Sequence, residues 1–170
     1  MPRSVIALGY WYNDLHGADS FCVVRNFINA CGYMCFASGA LEVMLEKSIH
    51  TFSHTTHQWL LVLGLVIFTT IQAQDMGDQE GDSMRSRWTV PLVIGDASAR
   101  YTIAAFVVMW SYLCASFWKL RIGVLVVSTG LGLLIGGRFV LRRTAKEDKV
   151  SFRFYNLWVA FIFSLPLWKW

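Results

Sequence analysis

Residues 121–138 read RIGVLVVSTGLGLLIGGR and carry charge only at the two ends, Arg121 and Arg138. A helix needs roughly 20 mostly apolar residues to cross the hydrocarbon core of a bilayer. Basic residues tend to flank such a helix, because the membrane surface solvates their charge and the hydrocarbon does not. The pattern therefore predicts a membrane-spanning helix over Ile122–Leu141.

Apolar segments of the same kind recur along the chain. The other four are Phe27–Leu45, Trp59–Gln74, Tyr101–Trp118 and Phe152–Trp170. The 170 residues are 55% hydrophobic and 15% charged, whereas a soluble domain has about 25% charged residues. Val5–Tyr12 is apolar but too short to span, and we interpret it as half of a helix. We predict an all-α integral membrane fold with about five full transmembrane helices plus a partial first one, in a single domain over residues 1–170.

The basic residues lie mainly at the ends of the apolar segments. The net charge of +4 therefore does not indicate nucleic-acid binding, because membrane topology already accounts for its distribution. Most Lys and Arg residues fall in or beside the segments 13–26, 75–100 and 142–151. This bias predicts that those segments face the cytoplasm, with 142–149 as a solvated loop near lipid headgroups.

Two glycines in the span Ile122–Leu141 have the spacing of a helix-packing motif. Gly132 and Gly136 are four residues apart, so they lie on one helical face and let a neighbouring helix approach closely. We predict that they pack against another span.

An acidic segment follows the second predicted span. Asp75, Asp78 and Asp82 have the spacing i, i+3, i+7, which places them on one face if the helix continues for two turns. Clustered carboxylates repel one another unless a cation lies between them, and Mg²⁺ prefers oxygen ligands. Arg85 and Arg87 follow with forked donors suited to phosphate oxygens. The segment predicts a diphosphate site at the membrane surface; the alternative is an ordinary solvated polar loop.

At these residues the sequence resembles the UbiA family of membrane prenyltransferases. It is most similar to the fungal branch that includes UbiA-type terpene cyclases and meroterpenoid prenyltransferases. That branch carries a second aspartate-rich motif with the pattern D-x-x-D-x-x-G-D, followed by Arg, Thr and Pro. The matching residues are Asp75, Asp78, Gly81, Asp82, Arg85, Arg87, Thr89 and Pro91.

The resemblance implies a fold, a cofactor and a set of site residues. Family members have nine helices and two aspartate-rich motifs, so residues 1–170 are expected to match the C-terminal part, without the first motif. Asp75, Asp78 and Asp82 would be the catalytic carboxylates that bind Mg²⁺. Arg85 and Arg87 would hold the diphosphate.

The resemblance also implies further substrate contacts and a reaction. By analogy with the family, Tyr12 and Arg25 are candidate substrate-binding residues. The substrate would be an isoprenoid diphosphate, and either an aromatic acceptor or an internal alkene would capture the allylic cation. The sequence leaves prenyltransferase and terpene cyclase open, and it predicts a multi-pass protein of the endoplasmic reticulum or another internal membrane.

Two other classes of function are compatible with a membrane protein of this size. The first is a non-catalytic, degenerate member of the same family that acts as an assembly partner. The second is a small transporter or channel. Few ionisable residues lie in the middle of the predicted spans, which disfavours the transporter or channel.

Overall fold

The computed structural model of the chain describes residues 2–17, 19 and 21–169, and all regular structure within them is helical. The α-helices are α1 (Pro2–Asn13), α2 (Cys22–Leu45), α3 (His54–Thr70), α4 (Gln79–Met84), α5 (Val90–Ile94), α6 (Asp96–Phe117), α7 (Ile122–Leu141) and α8 (Ala145–Ser164). Short 3₁₀ helices occupy Ile49–Thr51, Ile71–Gly77 and Leu165–Trp168.

Five helical segments in the described residues are long and apolar enough to cross a membrane. They are Cys22–Leu45, His54–Gly77, Asp96–Phe117, Ile122–Leu141 and Ala145–Trp168. The predicted all-α membrane fold is therefore confirmed, and α7 has the predicted bounds. All four of the other spans begin five to seven residues before the predicted start, because flanking residues, many of them polar, extend each helix beyond its apolar segment. The short α1 lies where the partial first helix was expected.

The helices form two compact units, and α1, α2 and α3 belong to the first together with residues 86–88. The Asn26 side chain donates from Nδ2 to the Phe68 carbonyl at 3.2 Å and so joins α2 to α3. Gly64 of α3 faces Met34 of α2, and a Cβ at position 64 would lie 3.3 Å from Met34 Cγ. Small and polar groups thus let these two helices pack closely, as is common in membranes.

The second unit contains residues 72–85 and the helices α5 to α8. Its centre is the contact between α6 and α7, where Gly132 lies over Ser111 and Gly136 lies over Ala104. Trp158 of α8 donates from Nε1 to Ser111 Oγ at 2.8 Å. The predicted packing role of the two glycines is confirmed, since each leaves room for the facing helix.

The segment 142–149 differs from the predicted solvated loop. Helix α8 begins at Ala145, and the Thr144 hydroxyl caps it by accepting a hydrogen bond from the Glu147 N–H at 3.3 Å. Asp148 is only 1% exposed. The loop prediction was wrong because it treated a dense run of charges as solvated, although Thr144-x-x-Glu147 is a capping-box pattern that marks a helix start.

The close packing of α6 and α7 predicts different effects for two adjacent glycines. A leucine at Gly136 would place its Cβ 3.1 Å from the Ala104 Cα, whereas a Cβ at Gly137 meets nothing within 4 Å. We expect Gly136→Leu to lower the free energy of unfolding by about 1–3 kcal/mol through overpacking. Gly137→Leu is the matched control and should have little effect. Thermal unfolding of the detergent-solubilised protein measures both, and equal midpoints would contradict the packing account.

Candidate active site

The acidic segment does not continue the preceding α-helix. After α3 the backbone tightens into a 3₁₀ helix over Ile71–Gly77, and Asp78 then leaves helical geometry with φ −135° and ψ 26°. Helix α4 starts only at Gln79. The condition for one shared helical face is therefore not met, because glycines at 77 and 81 and three nearby carboxylates weaken an α-helix here.

The three aspartates differ in exposure. Asp75 and Asp82 are each 2% exposed, whereas Asp78 is exposed. Two backbone hydrogen bonds link them, from the Asp78 N–H to the Asp75 carbonyl (3.3 Å) and from the Asp82 N–H to the Asp78 carbonyl (2.9 Å). In the described part of the chain, no group of three or more His, Cys, Asp or Glu side chains could hold a metal ion. Joint ligation by all three carboxylates stays a prediction.

Asp78 lines a groove of about 530 Å³ in the second unit. Glu80 and Asp96 add negative charge to its wall, and Arg143 and Lys149 add positive charge. The Asp78 carboxylate makes no side-chain capping hydrogen bond with α4. A Mg²⁺ ion is commonly held by one or two carboxylates together with substrate phosphates. The donor set of this groove fits that mode, with a carboxylate and cationic side chains on the same surface.

Two glycines shape the groove around Asp78. A Cβ at Gly81 would lie 2.6 Å from Asp78 Oδ1, so the missing side chain leaves space for the carboxylate. A Cβ at Gly77 would lie 3.0 Å from Lys149 Cγ, so the lysine stem packs against this glycine. Gly81 of the D-x-x-D-x-x-G-D pattern therefore has a steric role beside the aspartate it accompanies.

A buried arginine forms part of the same groove. Arg100 is 1% exposed and donates from Nη1 and Nη2 to the two carboxylate oxygens of Asp148, each at 2.7 Å. Its Nε donates to Asp96 at 2.9–3.0 Å, and Asp96 also accepts from Gln79 Nε2 at 2.8 Å. This network was not predicted, since the sequence pattern indicated only basic residues at the ends of apolar segments. The i, i+4 spacing of Asp96 and Arg100 was the available signal.

The two predicted diphosphate-binding arginines belong to different units. Arg85 is exposed, follows α4 directly and lies in the second unit with the three aspartates. Arg87 lies in the first unit, where its Nε donates to Asp19 Oδ1 at 2.9 Å. This hydrogen bond, with a weaker contribution from His16, holds the pKa of the Asp19 carboxyl below its ordinary value.

The structure brings Tyr12 and Arg25 together in the first unit. The Arg25 Cζ lies 6.0 Å from the Tyr12 ring centroid, a cation–π distance. Arg25 is 6% exposed, and Tyr12 is partly exposed. The two side chains lie side by side in the first unit, and their contact with substrate stays a prediction.

A comparison with known protein families shows which family the chain belongs to. The model of the UbiA prenyltransferase family matches residues 4–162, which is nearly the whole chain. The chain belongs to the UbiA family. The resemblance seen at the aspartate-rich motif is therefore confirmed, and the five spans are those of a multi-pass UbiA membrane protein.

Three curated relatives of the chain are named as synthases or cyclases. The chain is 28% identical over 157 residues to a fumagillin beta-trans-bergamotene synthase of Aspergillus fumigatus, covering 92% of this chain and 53% of that protein. It is 27% identical to a somaliensene A/B synthase of Streptomyces somaliensis, with coverage of 85% and 49%. It is 28% identical to a diterpene cyclase of Hericium erinaceus, with coverage of 81% and 44%.

The chain spans about half the length of the curated relatives it matches. No solved structure matches the chain. Within this UbiA member, the groove around Asp78 is the site that combines the motif residues with cationic side chains.

The contact between Asp19 and Arg87 predicts a pH dependence. Because the folded pKa of Asp19 is lowered, the contact is complete above the ordinary Asp pKa of about 4 and is lost as the pH falls through the lower folded value. We expect Arg87→Gln to raise the Asp19 pKa. Carboxyl ¹³C NMR titration in detergent measures it, and an unchanged midpoint in the variant would contradict the assignment.

Proposed function

We propose that this chain is part of a Mg²⁺-dependent membrane enzyme that acts on an isoprenoid diphosphate in terpenoid biosynthesis. The observation that carries the proposal is the exposed Asp78 carboxylate in a groove that also presents Arg143 and Lys149. The family membership and the names of the three relatives support the same substrate class.

The roles of the residues follow from their charge and exposure. Asp78 is the carboxylate that the groove presents to a ligand, and the motif implies Asp75 and Asp82, both buried in this structure, as the other proposed ligands. When bound, Mg²⁺ would offset the charge that develops on the leaving diphosphate. Arg85 belongs to the same unit as these carboxylates, and its forked donors would bind phosphate oxygens.

The relatives favour cyclisation over prenyl transfer. One of them is named a diterpene cyclase and two are named synthases of terpene products. In a cyclisation the allylic cation is captured by an alkene of the same molecule, so no aromatic acceptor is needed. The groove residues act on the diphosphate in the same way in either reaction, so an aromatic acceptor remains the alternative.

The first unit contains an apolar cavity of its own. It lies between α2 and α3, has a volume of about 670 Å³ and is lined mainly by apolar side chains. Sites for small molecules have volumes of about 300–1,000 Å³ and mostly apolar walls. We propose an internal membrane such as the endoplasmic reticulum as the location, where an apolar substrate can enter laterally.

One observation favours a second candidate function. The described residues contain no preassembled group of three metal-binding side chains, as a degenerate, non-catalytic member that acts as an assembly partner would show. Such a protein would keep the spans and the glycine packing but would bind no divalent cation.

Two carboxylates of the groove provide the test. We expect Asp78→Ala to reduce Mg²⁺-dependent conversion of farnesyl or geranylgeranyl diphosphate in microsomes by about a hundredfold, the usual loss when a charge-stabilising group is removed. Glu80→Ala removes an exposed carboxylate from the same groove and is the matched control, expected to stay near wild type.

The conversion assay, together with a measurement of Mn²⁺ binding, decides between the two candidate functions. Equal products from the wild type and Asp78→Ala would remove the proposed role of Asp78. Absence of product together with absence of Mn²⁺ binding by the wild-type chain would favour the non-catalytic function.

A further inference from the structure

The position of Asp78 depends on contacts outside its own segment. Helix α4 has six residues and includes Gly81, and so short a helix is not stable by itself in water. Asp78 lies at the break before α4, where the backbone is not helical. Side-chain contacts must therefore hold the segment in place.

Gln79 supplies the contact next to Asp78. Its Nε2 donates to the Met76 carbonyl at 3.2 Å and to Asp96 Oδ1 at 2.8 Å. An amide nitrogen carries two N–H donors, so these two bonds use both of them. Gln79 thereby ties the end of the 3₁₀ helix to the first residue of α6.

Asp96 in turn is held by the buried arginine. Arg100 Nε donates to both Asp96 oxygens, at 3.0 Å and 2.9 Å, although the Asp96 side chain is 42% exposed. Arg100 is itself fixed by Asp148 and by the Phe139 carbonyl, which accepts from Nη1 at 2.9 Å. A hydrogen-bonded series thus runs from the interior of the second unit to the residue beside Asp78.

We infer that Asp96 and Gln79 are positioning residues that hold Asp78 in the groove, with Arg100 as their fixed end. The inference rests on the proposed function, in which Asp78 binds the metal and its diphosphate. Neither positioning residue needs to touch the substrate, because each acts through the backbone that carries Asp78. We call the three residues Gln79, Asp96 and Arg100 the positioning relay.

The donor and the acceptor of the hydrogen bond between Gln79 and Asp96 can be exchanged by substitution. Gln79→Glu sets a carboxylate against the Asp96 carboxylate and removes the donor to the Met76 carbonyl. Asp96→Asn replaces the charged acceptor of Gln79 and Arg100 with a neutral amide oxygen, which weakens both bonds. In the double variant the new amide at position 96 donates to the new carboxylate at position 79 and still accepts from Arg100. The double variant should therefore restore the contact between positions 79 and 96 with donor and acceptor exchanged, whereas the bond to the Met76 carbonyl stays lost.

Hydrogen exchange measured by mass spectrometry on the full chain in detergent tests the relay without any metal. We expect peptides covering residues 76–85 to exchange about tenfold faster in each single variant, the change expected for one charge-assisted hydrogen bond. Peptides from the α6 and α7 core should keep wild-type rates, and the double variant should exchange more slowly at residues 76–85 than Gln79→Glu alone, because it regains the bond between positions 79 and 96. Glu147→Gln is the matched control. It weakens a partly buried ion pair between α7 and α8, from Arg138 Nη2 to Glu147 Oε2 at 3.0 Å. Neither partner belongs to residues 76–85 or to the positioning relay.

Two exchange results would overturn the inference. One is unchanged protection of residues 76–85 in both single variants. The other is equally faster exchange throughout α6 and α7, because that would mean general loosening instead of local positioning.

Binding of Mn²⁺ with inorganic pyrophosphate, followed by electron paramagnetic resonance, separates this inference from the proposed function. We expect the single variants to need about tenfold more Mn²⁺ for half-saturation, and the double variant to need less than Gln79→Glu alone. If Asp78→Ala abolishes binding and the single variants bind like wild type, the relay is refuted and the metal role of Asp78 stands. If Asp78→Ala binds like wild type, the metal role fails and the relay loses its function with it.

Discussion

The bidentate pair between Arg100 and Asp148 is the contact on which the second unit depends. Both side chains are about 1% exposed, and both lie at ends of membrane-spanning helices. Charge is costly there unless it is paired, and removing one partner of a buried pair costs about 3–5 kcal/mol. The pair is fully engaged, since the guanidinium also bonds the Phe139 carbonyl near the end of α7. One arginine thus joins α6, α7 and α8.

The same contact connects the fold to the candidate site. Arg100 and Asp148 both line the groove that contains Asp78. The residues that hold the helices together therefore also form part of the groove wall. The start of α8 at Ala145 places Lys149 against Gly77, beside the aspartate-rich segment. Membrane helices gain little from apolar association alone. Polar contacts such as these therefore determine how the helix ends are arranged around a hydrophilic ligand site.

Much of the architecture could be predicted from the sequence. Hydropathy predicts the five spans, and the spacing of Gly132 and Gly136 predicts a packing face, because lipid exposure and close helix approach each restrict which residue types occur. The motif around Asp75, Asp78 and Asp82 was enough to indicate the family. The local path of the acidic segment was not predictable from spacing, since it depends on contacts with Asp96, which lies far along the chain. The burial of Asp148 was missed for the same reason, because its partner is on another helix.

Nuclear magnetic resonance of the arginine side chains tests the central interaction most directly. In ¹⁵N–¹H spectra of the detergent-solubilised chain, a guanidinium clamped by two carboxylates and excluded from water should show separate Nη signals with slow solvent exchange. Arg100 is expected to give such signals, whereas the exposed Arg85 should give averaged ones. Averaged, rapidly exchanging signals from Arg100 would contradict the account, because they would mean that the guanidinium is neither buried nor held by Asp148.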